Sequence, residues 1–427
     1  MSSAQRRFVH VIQRYFPFRG GSERYFQAFS ERFVEGGSRV QVVTSDAWDL
    51  EYFWDPARKR VDEAHGEHNG VEILRVPARH LPVPALTHRA IRRLMAESCR
   101  LPFPGRATLL GFGSRFGPWL PSLEAELARL ETPNLVNSAN IAFESMISTA
   151  AKFARVHDVP HIVTPFLHFG EADDAKVRRY YTMPHQLQLL RQVDAIMVLT
   201  SVEADYLTSS GIPAAKIHLV GAGIEVGAVT GGDGDGLRAR LLIDGPIVLA
   251  LGAAAFDKGT IHLMQAVSRL KQRGVDVYLL IAGPVLSDVT EFARGLPKED
   301  LEHIRILGFV SERERRDLLA ACDILALPSR TESFGLVFME AWANQKPVIG
   351  ARAGAIPSVV SDGADGILVK FGDVAALASA IETLVKLPSL RAEMGASGLA
   401  KVVDESVWFE RVRAVYASVL GVPTEAV

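Results

Sequence analysis

Glu332 and Glu340 lie eight residues apart in Leu327-Pro-Ser-Arg-Thr-Glu-Ser-Phe-Gly-Leu-Val-Phe-Met-Glu-Ala341, and they are the side chains in this sequence best suited to grip a polyhydroxyl ligand. An ionised carboxylate accepts several hydrogen bonds, so two of them can hold opposite ends of one extended molecule. Were the stretch helical throughout, the pair would stand about 12 Å apart near one face. Glu340 is flanked by Phe338, Met339, Ala341 and Trp342, which predicts a buried helix in which its carboxylate needs donors. The plainer reading makes Ser329-Arg-Thr-Glu332 a capping box and leaves Glu340 solvated.

Three further loops carry chemistry. Ile247 to Leu251 reads as a strand, followed by small residues and then Lys258-Gly259 at the start of a helix. The helix dipole opposes a cation there unless an anion joins it, which points to a phosphate; the alternative is a solvated surface lysine. Thr164-Pro-Phe-Leu-His168-Phe-Gly-Glu171 puts a histidine at a strand end, fit for hydrogen bonding or proton handling, although a lone histidine is usually structural. Phe18-Arg-Gly-Gly-Ser-Glu-Arg24 lets backbone approach a ligand at a helix N-terminus, or is simply a tight turn capped by Ser22. No G-x-G-x-x-G fingerprint is present there.

The elements that must position these residues alternate short β-branched runs with segments of helical period, the pattern of a parallel sheet covered by helices on both faces. Strands are expected at Phe8 to Gln13, Val40 to Thr44, Val71 to Val76, Leu135 to Asn137, His161 to Thr164, Ala195 to Leu199 and Ile217 to Val220, with helices at Ser22 to Glu35 and Ala172 to Gln192. The pattern restarts at Ile247 to Leu251 and runs through Val277 to Ala282, Ile304 to Leu307, Ile324 to Leu327, Pro347 to Ile349 and Ile367 to Val369. Gly231-Gly-Asp-Gly-Asp-Gly236, between the two series, reads as a flexible loop or hinge. The expectation is an α/β chain of two doubly wound domains, 1–222 and 223–405, with a helix over Ser406 to Leu420 crossing back to the first. Such sheets bind ligands beyond the carboxyl ends of their strands, so a shared central cleft is expected.

The chain's 427 residues suit two domains, since single cores rarely exceed about 250 to 300 residues. With 48% hydrophobic and 22% charged residues, disorder is excluded. A net charge of −2 gives no reason to expect nucleic acid. Cys99 and Cys322 alone suit a reducing compartment and exclude a cysteine zinc site. The apolar run Phe8 to Ile12, after Met1-Ser-Ser-Ala-Gln-Arg-Arg, is too short for a signal-peptide core or a span, so a cytoplasmic location is expected, free or at a membrane surface.

With these residues in view, the chain resembles the GT-B glycosyltransferases of family four over nearly its full length. The most specific match is the Glu332/Glu340 pair with its Phe334-Gly335-Leu336 turn. Further matches, in the family's order, are Gly20-Gly21-Ser22-Glu23, Ser201-Val-Glu203 with Leu207, Gly223-Ile224-Glu225, Lys258-Gly259, Gly283-Pro284, Gly308-Phe-Val310, and Gly354-Ala-Ile-Pro357 to Gly366-Ile-Leu-Val369. The resemblance implies a retaining transfer from a nucleotide-sugar donor, held mainly by the second domain, to a saccharide, lipid-linked or small-molecule acceptor held mainly by the first. Glu340 would then bind the ribose, Glu332 would sit by the transferred sugar, and backbone around Ser333, Phe334, Gly335 and Leu336 would hold the donor. Lys258 would face the diphosphate, and Gly283, Phe309 and Val310 would border the nucleotide. His168 would position sugar or acceptor, and Gly20, Gly21, Glu23 and Asn137 are the acceptor candidates.

Two departures stand out: the family commonly has an arginine where this chain has Ala253, and a glutamate where it has Ser358. Losing that guanidinium removes charge from around the leaving group. No Asp-x-Asp pair stands at a convincing position, so transfer without metal or other cofactor is expected. An epimerase of the same fold, or a binding protein that no longer catalyses, would fit the same architecture. Finally, residues 75–119 carry Arg75, Arg79, Arg89, Arg92, Arg93, Arg100, Arg106 and Arg115 against Glu97, interleaved with Leu86, Leu94, Phe103, Leu109, Phe112 and other apolar residues. Such a stretch is either an ordinary packed helix and loop or a contact with an anionic membrane.

Overall fold

The computed structural model describes residues 5–18 and 20–427. Residues 1–4 and Arg19, which the terminal and glycine-loop readings include, lie outside them.

The described residues form two sheets. The first comprises β1 (Arg7–Val11), β2 (Arg39–Ser45), β3 (His65–His68), β4 (Val71–Val76), β5 (Leu135–Ala139), β6 (His161–Thr164), β7 (Ala195–Val198) and β8 (Ile217–Leu219), in the order β3-β4-β2-β1-β5-β6-β7-β8. All neighbours are parallel except β3, which pairs antiparallel with β4. The second comprises β9 (Ile247–Leu251), β10 (Tyr278–Ala282), β11 (Ile304–Gly308), β12 (Ile324–Leu327), β13 (Val348–Ala351) and β14 (Gly366–Val369), fully parallel in the order β11-β10-β9-β12-β13-β14. The continuous apolar runs of β9 and β12 are buried along their whole length, as strands covered on both faces require.

In each sheet the connections reverse direction at one place: between β1 and β5 in the first, and between β9 and β12 in the second. Loops leaving two adjacent strands on opposite sides open a crevice at such a point.

The chain divides into two compact units, one of residues 1–167, 178–221 and 409–427, the other of 168–177 and 222–408. The segment from His168 to Val177 therefore belongs with the second unit, although it directly follows β6 of the first sheet. Backbone pairing holds it there: the Gly354 N–H donates to the Gly170 carbonyl (2.7 Å), and Glu171 bridges to Ala353.

Three expectations need correction. The run expected as one helix over Ala172 to Gln192 is two short helices, Lys176–Arg179 and Pro184–Gln192. Pro184, which lacks an N–H, stands at the start of the second. A β3–β4 hairpin was missed, although its Asn69-Gly70 turn, with both residues at positive φ, was in plain sight. The glycine run is no hinge either: Gly234–Leu241 is helical, with the Asp233 side chain accepting from Gly236 N–H (2.9 Å). A Cβ on Gly232 would meet the Asp317 nitrogen at 2.6 Å, and one on Gly234 the Ala320 carbonyl carbon at 2.9 Å. Those glycines let this segment lie flush on the helix Glu312–Ala321.

The helix Glu405–Leu420 enters the first unit from Phe409 onward, and Tyr416 is fully buried under the first sheet. His10 and Asn137 are register partners on β1 and β5, and the Tyr416 hydroxyl joins them. It accepts from Asn137 Nδ2 (2.8 Å) and reaches His10 Nε2 at 3.0 Å, while His10 Nδ1 lies 2.8 Å from Ser30 Oγ. Burial pushes the His10 imidazole down to about 3, so it is neutral and can bond in both directions. Asn137, expected at an acceptor site, is fully buried, with its Nδ2 in this chain of hydrogen bonds and its Oδ1 without a partner among the described residues.

Removing the hydroxyl with Tyr416→Phe leaves buried polar partners unsatisfied, and we expect a loss of about 1 to 3 kcal/mol in denaturant unfolding; an unchanged midpoint would show the chain is dispensable. A second prediction concerns Glu203, fully buried in the helix Ser201–Ser209. Its carboxylate accepts from the N–H groups of Leu167 (2.8 Å) and Leu199 (2.7 Å), and burial pushes it up to about 7. A raised carboxyl pKa means that the folded chain holds a proton the unfolded chain releases. The Glu203 contribution is thus full below pH 4.5 and is lost as pH rises to about 7. Relative to Glu203→Gln, the wild-type chain should lose roughly 3 kcal/mol across that window and nothing above it; a pH-independent difference would refute the ionisation.

Candidate functional site

The second sheet's switch point gathers the residues singled out for chemistry. β9 ends at Leu251, and the chain runs through Gly252 and Ala253 to a single turn, Phe256–Lys258, before the helix Thr260–Gln272. β12, its neighbour in the sheet, ends at Leu327 and leads to Glu332. Lys258 Nζ donates to Glu332 Oε2 at 2.7 Å and to the Thr331 carbonyl at 2.8 Å, with both side chains partly exposed. The lysine thus stands before the helix N-terminus as expected, with a carboxylate already opposite it.

His168 joins this cluster through a hydrogen bond between its ring and the Thr331 backbone and lies close enough to Lys258 to feel its charge. Burial and the Lys258 ammonium push its imidazole down to about 3. At neutral pH the ring is uncharged, which suits it to donate or accept a hydrogen bond and makes it a weak proton acceptor. Gly354 closes the cluster from behind, where a Cβ would meet the Glu332 carbonyl oxygen at 2.8 Å.

The stretch from Glu332 to Glu340 is not helical throughout. The helix is Leu336–Ala343, and Gly335 precedes it at φ +88°, where any Cβ would also meet the Phe338 ring at 2.7 Å. The 12 Å helical spacing therefore does not apply, and the capping box does not form: Ser329 Oγ donates to the Asp257 carbonyl (3.2 Å) and accepts from Thr331 N–H (3.2 Å). Ser333, Phe334 and Leu336 are partly exposed around this turn. Among the described residues no side chain caps the helix, which follows a left-handed glycine, so its leading N–H groups have no side-chain acceptor.

Glu340 is buried, as its apolar neighbours predicted. What the sequence did not reveal is its partner, Arg315, whose guanidinium is ion-paired to Glu340 Oε1 and is itself almost wholly buried. Glu340 Oε2 is buried too and has no hydrogen-bond partner among the described residues. A carboxylate oxygen in that state calls for a donor. Arg315 sits in the helix Glu312–Ala321, which Ser311 and Glu314 start with a capping box, and that Ser-x-x-Glu signal was legible.

Gly283, at the end of β10, abuts Gly252 at the end of β9, and its N–H donates to the Gly308 carbonyl (2.7 Å). Phe309 follows, 61% exposed, with Val310 partly exposed beside it. An aromatic ring left in water at a strand end offers a stacking surface. Ala253 lines a small recess with Gly252, Ala254, Lys258 and Thr260. Arg330 does not replace the missing guanidinium there, because Asp257 holds it at 2.7 Å and it lies against Phe256 and Phe371. Ser358 donates to the Ala355 carbonyl (2.7 Å). Among the described residues no cluster of three or more His, Cys, Asp or Glu side chains is placed to hold a metal ion.

In the first unit, Gly20 precedes the helix Gly21–Glu35, and the space beside Gly21 is open. Glu23 is buried and already satisfied: Gln13 Nε2 (3.0 Å) and Arg14 Nε (3.1 Å) donate to one oxygen, and Ser22 Oγ (3.0 Å) to the other. Its carboxylate anchors the loop after β1 rather than presenting a free acceptor.

Comparison with known proteins speaks to the family and the fold. Residues 237–400 match the family model described as glycosyl transferases group 1, and residues 20–223 match a glycosyl transferase 4-like domain. An alpha-D-kanosaminyltransferase of Streptomyces kanamyceticus is 29% identical over 48% of this chain and 54% of its own. A D-inositol 3-phosphate glycosyltransferase of Actinosynnema mirum is 32% identical over 48% of this chain and 52% of its own. The chain thus spans about half the length of the curated relatives it matches. Among solved structures, Anabaena HepE in complex with UDP and glucose superposes with a TM-score of 0.70 at 16% identity, over 97% of this chain and 100% of that one. Sucrose-phosphate synthase of Thermosynechococcus elongatus gives 0.70 at 19%, with the same coverage. Between them the two family models take in most of the sequence and the fold matches end to end, so this chain belongs to the group 1 glycosyltransferases of the GT-B fold.

Proposed function

We propose that this chain transfers a sugar from a nucleotide-sugar donor, held by its second unit, to a hydroxyl of a saccharide, lipid-linked or small-molecule acceptor, with retention at the anomeric carbon. The observation that carries the reading is Glu340: one oxygen is fixed by Arg315 and the other is buried without a donor, a demand that a ribose hydroxyl meets. Phe309, exposed at the end of β11, would border the base.

The difficult step is breaking the bond between the anomeric carbon and the diphosphate, as positive charge grows on the sugar and negative charge on the leaving group. Lys258 and the uncapped N–H groups after Gly335 supply positive charge from a fixed scaffold, so little reorganisation is needed as the bond stretches. A bound diphosphate would share Lys258 with Glu332, leaving that carboxylate able to accept from the sugar's hydroxyls. Neutral His168 would hold a sugar or acceptor hydroxyl by hydrogen bonding. The acceptor attacks from the face the diphosphate leaves, and its proton passes to a departing phosphate oxygen. No divalent ion is needed for this chemistry, and Ala253 predicts a slower leaving-group step than an arginine at that position would give.

Two measurements test the reading. In a thermal-shift panel of UDP, GDP and ADP sugars, one donor class should raise the melting temperature, and Glu340→Gln should abolish that rise while keeping the fold; a panel without any shift would sink the donor assignment. Lys258→Ala should lower kcat/KM by on the order of 100-fold, and EDTA should leave the wild-type rate unchanged. Retained activity in Lys258→Ala, or inhibition by EDTA that magnesium reverses, would contradict the mechanism. A donor that binds without turnover on any acceptor would favour the non-catalytic reading prompted by Ala253.

A further inference from the structure

The helices Pro84–Ser98 and Arg106–Ser114 form a hairpin on the first unit whose inner and outer faces differ sharply. The inner face is well anchored. Arg92 Nη1 donates to the buried Glu144 carboxylate at 2.8 Å, His185 Nε2 lies 3.1 Å from the same oxygen, and Met95, Ala96, Leu110 and Met183 form an apolar cluster beneath. Of the arginines counted in this stretch, Arg75 is buried and donates to the Phe16 carbonyl (2.8 Å), Arg92 is taken by Glu144, and Arg106 caps the Cys99 carbonyl (3.0 Å). These three hold the unit together and contribute nothing outward.

The outer face should then be polar, and it is not. Leu86, Leu94, Leu101, Leu109 and Phe112 are each between 57% and 68% exposed. Leu86 and Leu94 recur at helical spacing on one stripe, and Leu109 and Phe112 on another, so both helices turn apolar side chains away from the unit's core. Val83, which starts the first helix, is 66% exposed and sits at φ +50°, a left-handed conformation unfavourable for a β-branched residue. Between these apolar groups stand Arg89, Arg93 and Arg115, exposed and in no ion pair with a described residue. Glu97, the acid of this face, is bound to Arg100 at 3.1 Å and to Arg179 at 3.5 Å.

A monomer's apolar surface is normally scattered, and a patch of this kind marks an interaction site. We infer that the outer face of the hairpin docks on an anionic phospholipid surface, with the leucines and Phe112 entering the headgroup boundary and the free arginines meeting lipid phosphates. The interleaving decides between occupants. A second copy packed on the same face would set Arg89 and Arg93 against like charges with Glu97 already paired, whereas lipid phosphates neutralise them. Among the described residues no helix is long and apolar enough to cross a membrane, so the contact is peripheral. Because Glu144 follows the end of β5 closely, the hairpin is tied to a loop at the first sheet's switch point, on the side where acceptors are proposed to bind. The docking itself does not depend on the transfer reading.

Flotation with phosphatidylcholine vesicles, with and without phosphatidylglycerol, tests it. The protein should float only with phosphatidylglycerol at about 0.1 M salt and should be released at about 1 M. Arg89→Gln with Arg93→Gln should weaken binding on the order of tenfold, and Leu94→Gln with Phe112→Ser should abolish it, each with unchanged circular dichroism. Leu242→Gln, at an 84% exposed leucine of the second unit, should leave binding intact. Failure to float, equal binding by both paired variants, or conversion of a dimer to a monomer by the Leu94/Phe112 pair without change in flotation would overturn the inference. Transfer to a soluble acceptor should survive these variants, which separates failure of docking from failure of the enzyme.

Discussion

The ion pair between Lys258 and Glu332 joins residues 74 positions apart, and it exists because β9 and β12 are neighbours whose following loops leave the sheet on opposite sides. The transfer chemistry proposed for this molecule depends on that reversal. It sets a cation before a helix N-terminus and faces it with a carboxylate, Glu332, which lies beside the uncapped turn at Gly335. Cation, carboxylate and helix amides are then positioned by the sheet itself, with little left to mobile side chains. Preorganisation of this kind is what makes electrostatic stabilisation effective when charge develops.

Much of this was legible in the sequence. Strands buried on both faces read as short continuous β-branched runs, and β4, β6, β9 and β12 have the bounds their composition implies. Lys258, Glu332 and His168 could be singled out because each follows a strand, where parallel sheets place their chemistry. Burial of Glu340 followed from its aromatic and aliphatic neighbours.

What escaped was long-range pairing. Arg315 precedes Glu340 by 25 residues in a helix that reads as an ordinary charged surface helix, so nothing local marks it as the carboxylate's partner. Tyr416 and Asn137 meet across 279 residues. Asn137 stands among the acceptor candidates, but the helix laid over its strand takes its Nδ2. The glycines at 232 and 234 misled for a related reason. Composition cannot separate a glycine that gives freedom from one that makes room, and only the backbone of residues 316–321 pressed against them tells which it is.

The Tyr416 chain also bears on how the molecule is made. The first unit's core takes in residues from Phe409 onward, so it stays unfinished on the ribosome while the whole second unit is synthesised. Until that late helix emerges, His10 and Phe33 have their partners on the helix Gly21–Glu35 but lack Tyr416 and Phe409, and Asn137 lacks its hydrogen-bond partner. The order of the elements thus makes completion of the first unit's core a step that comes after synthesis of the second unit.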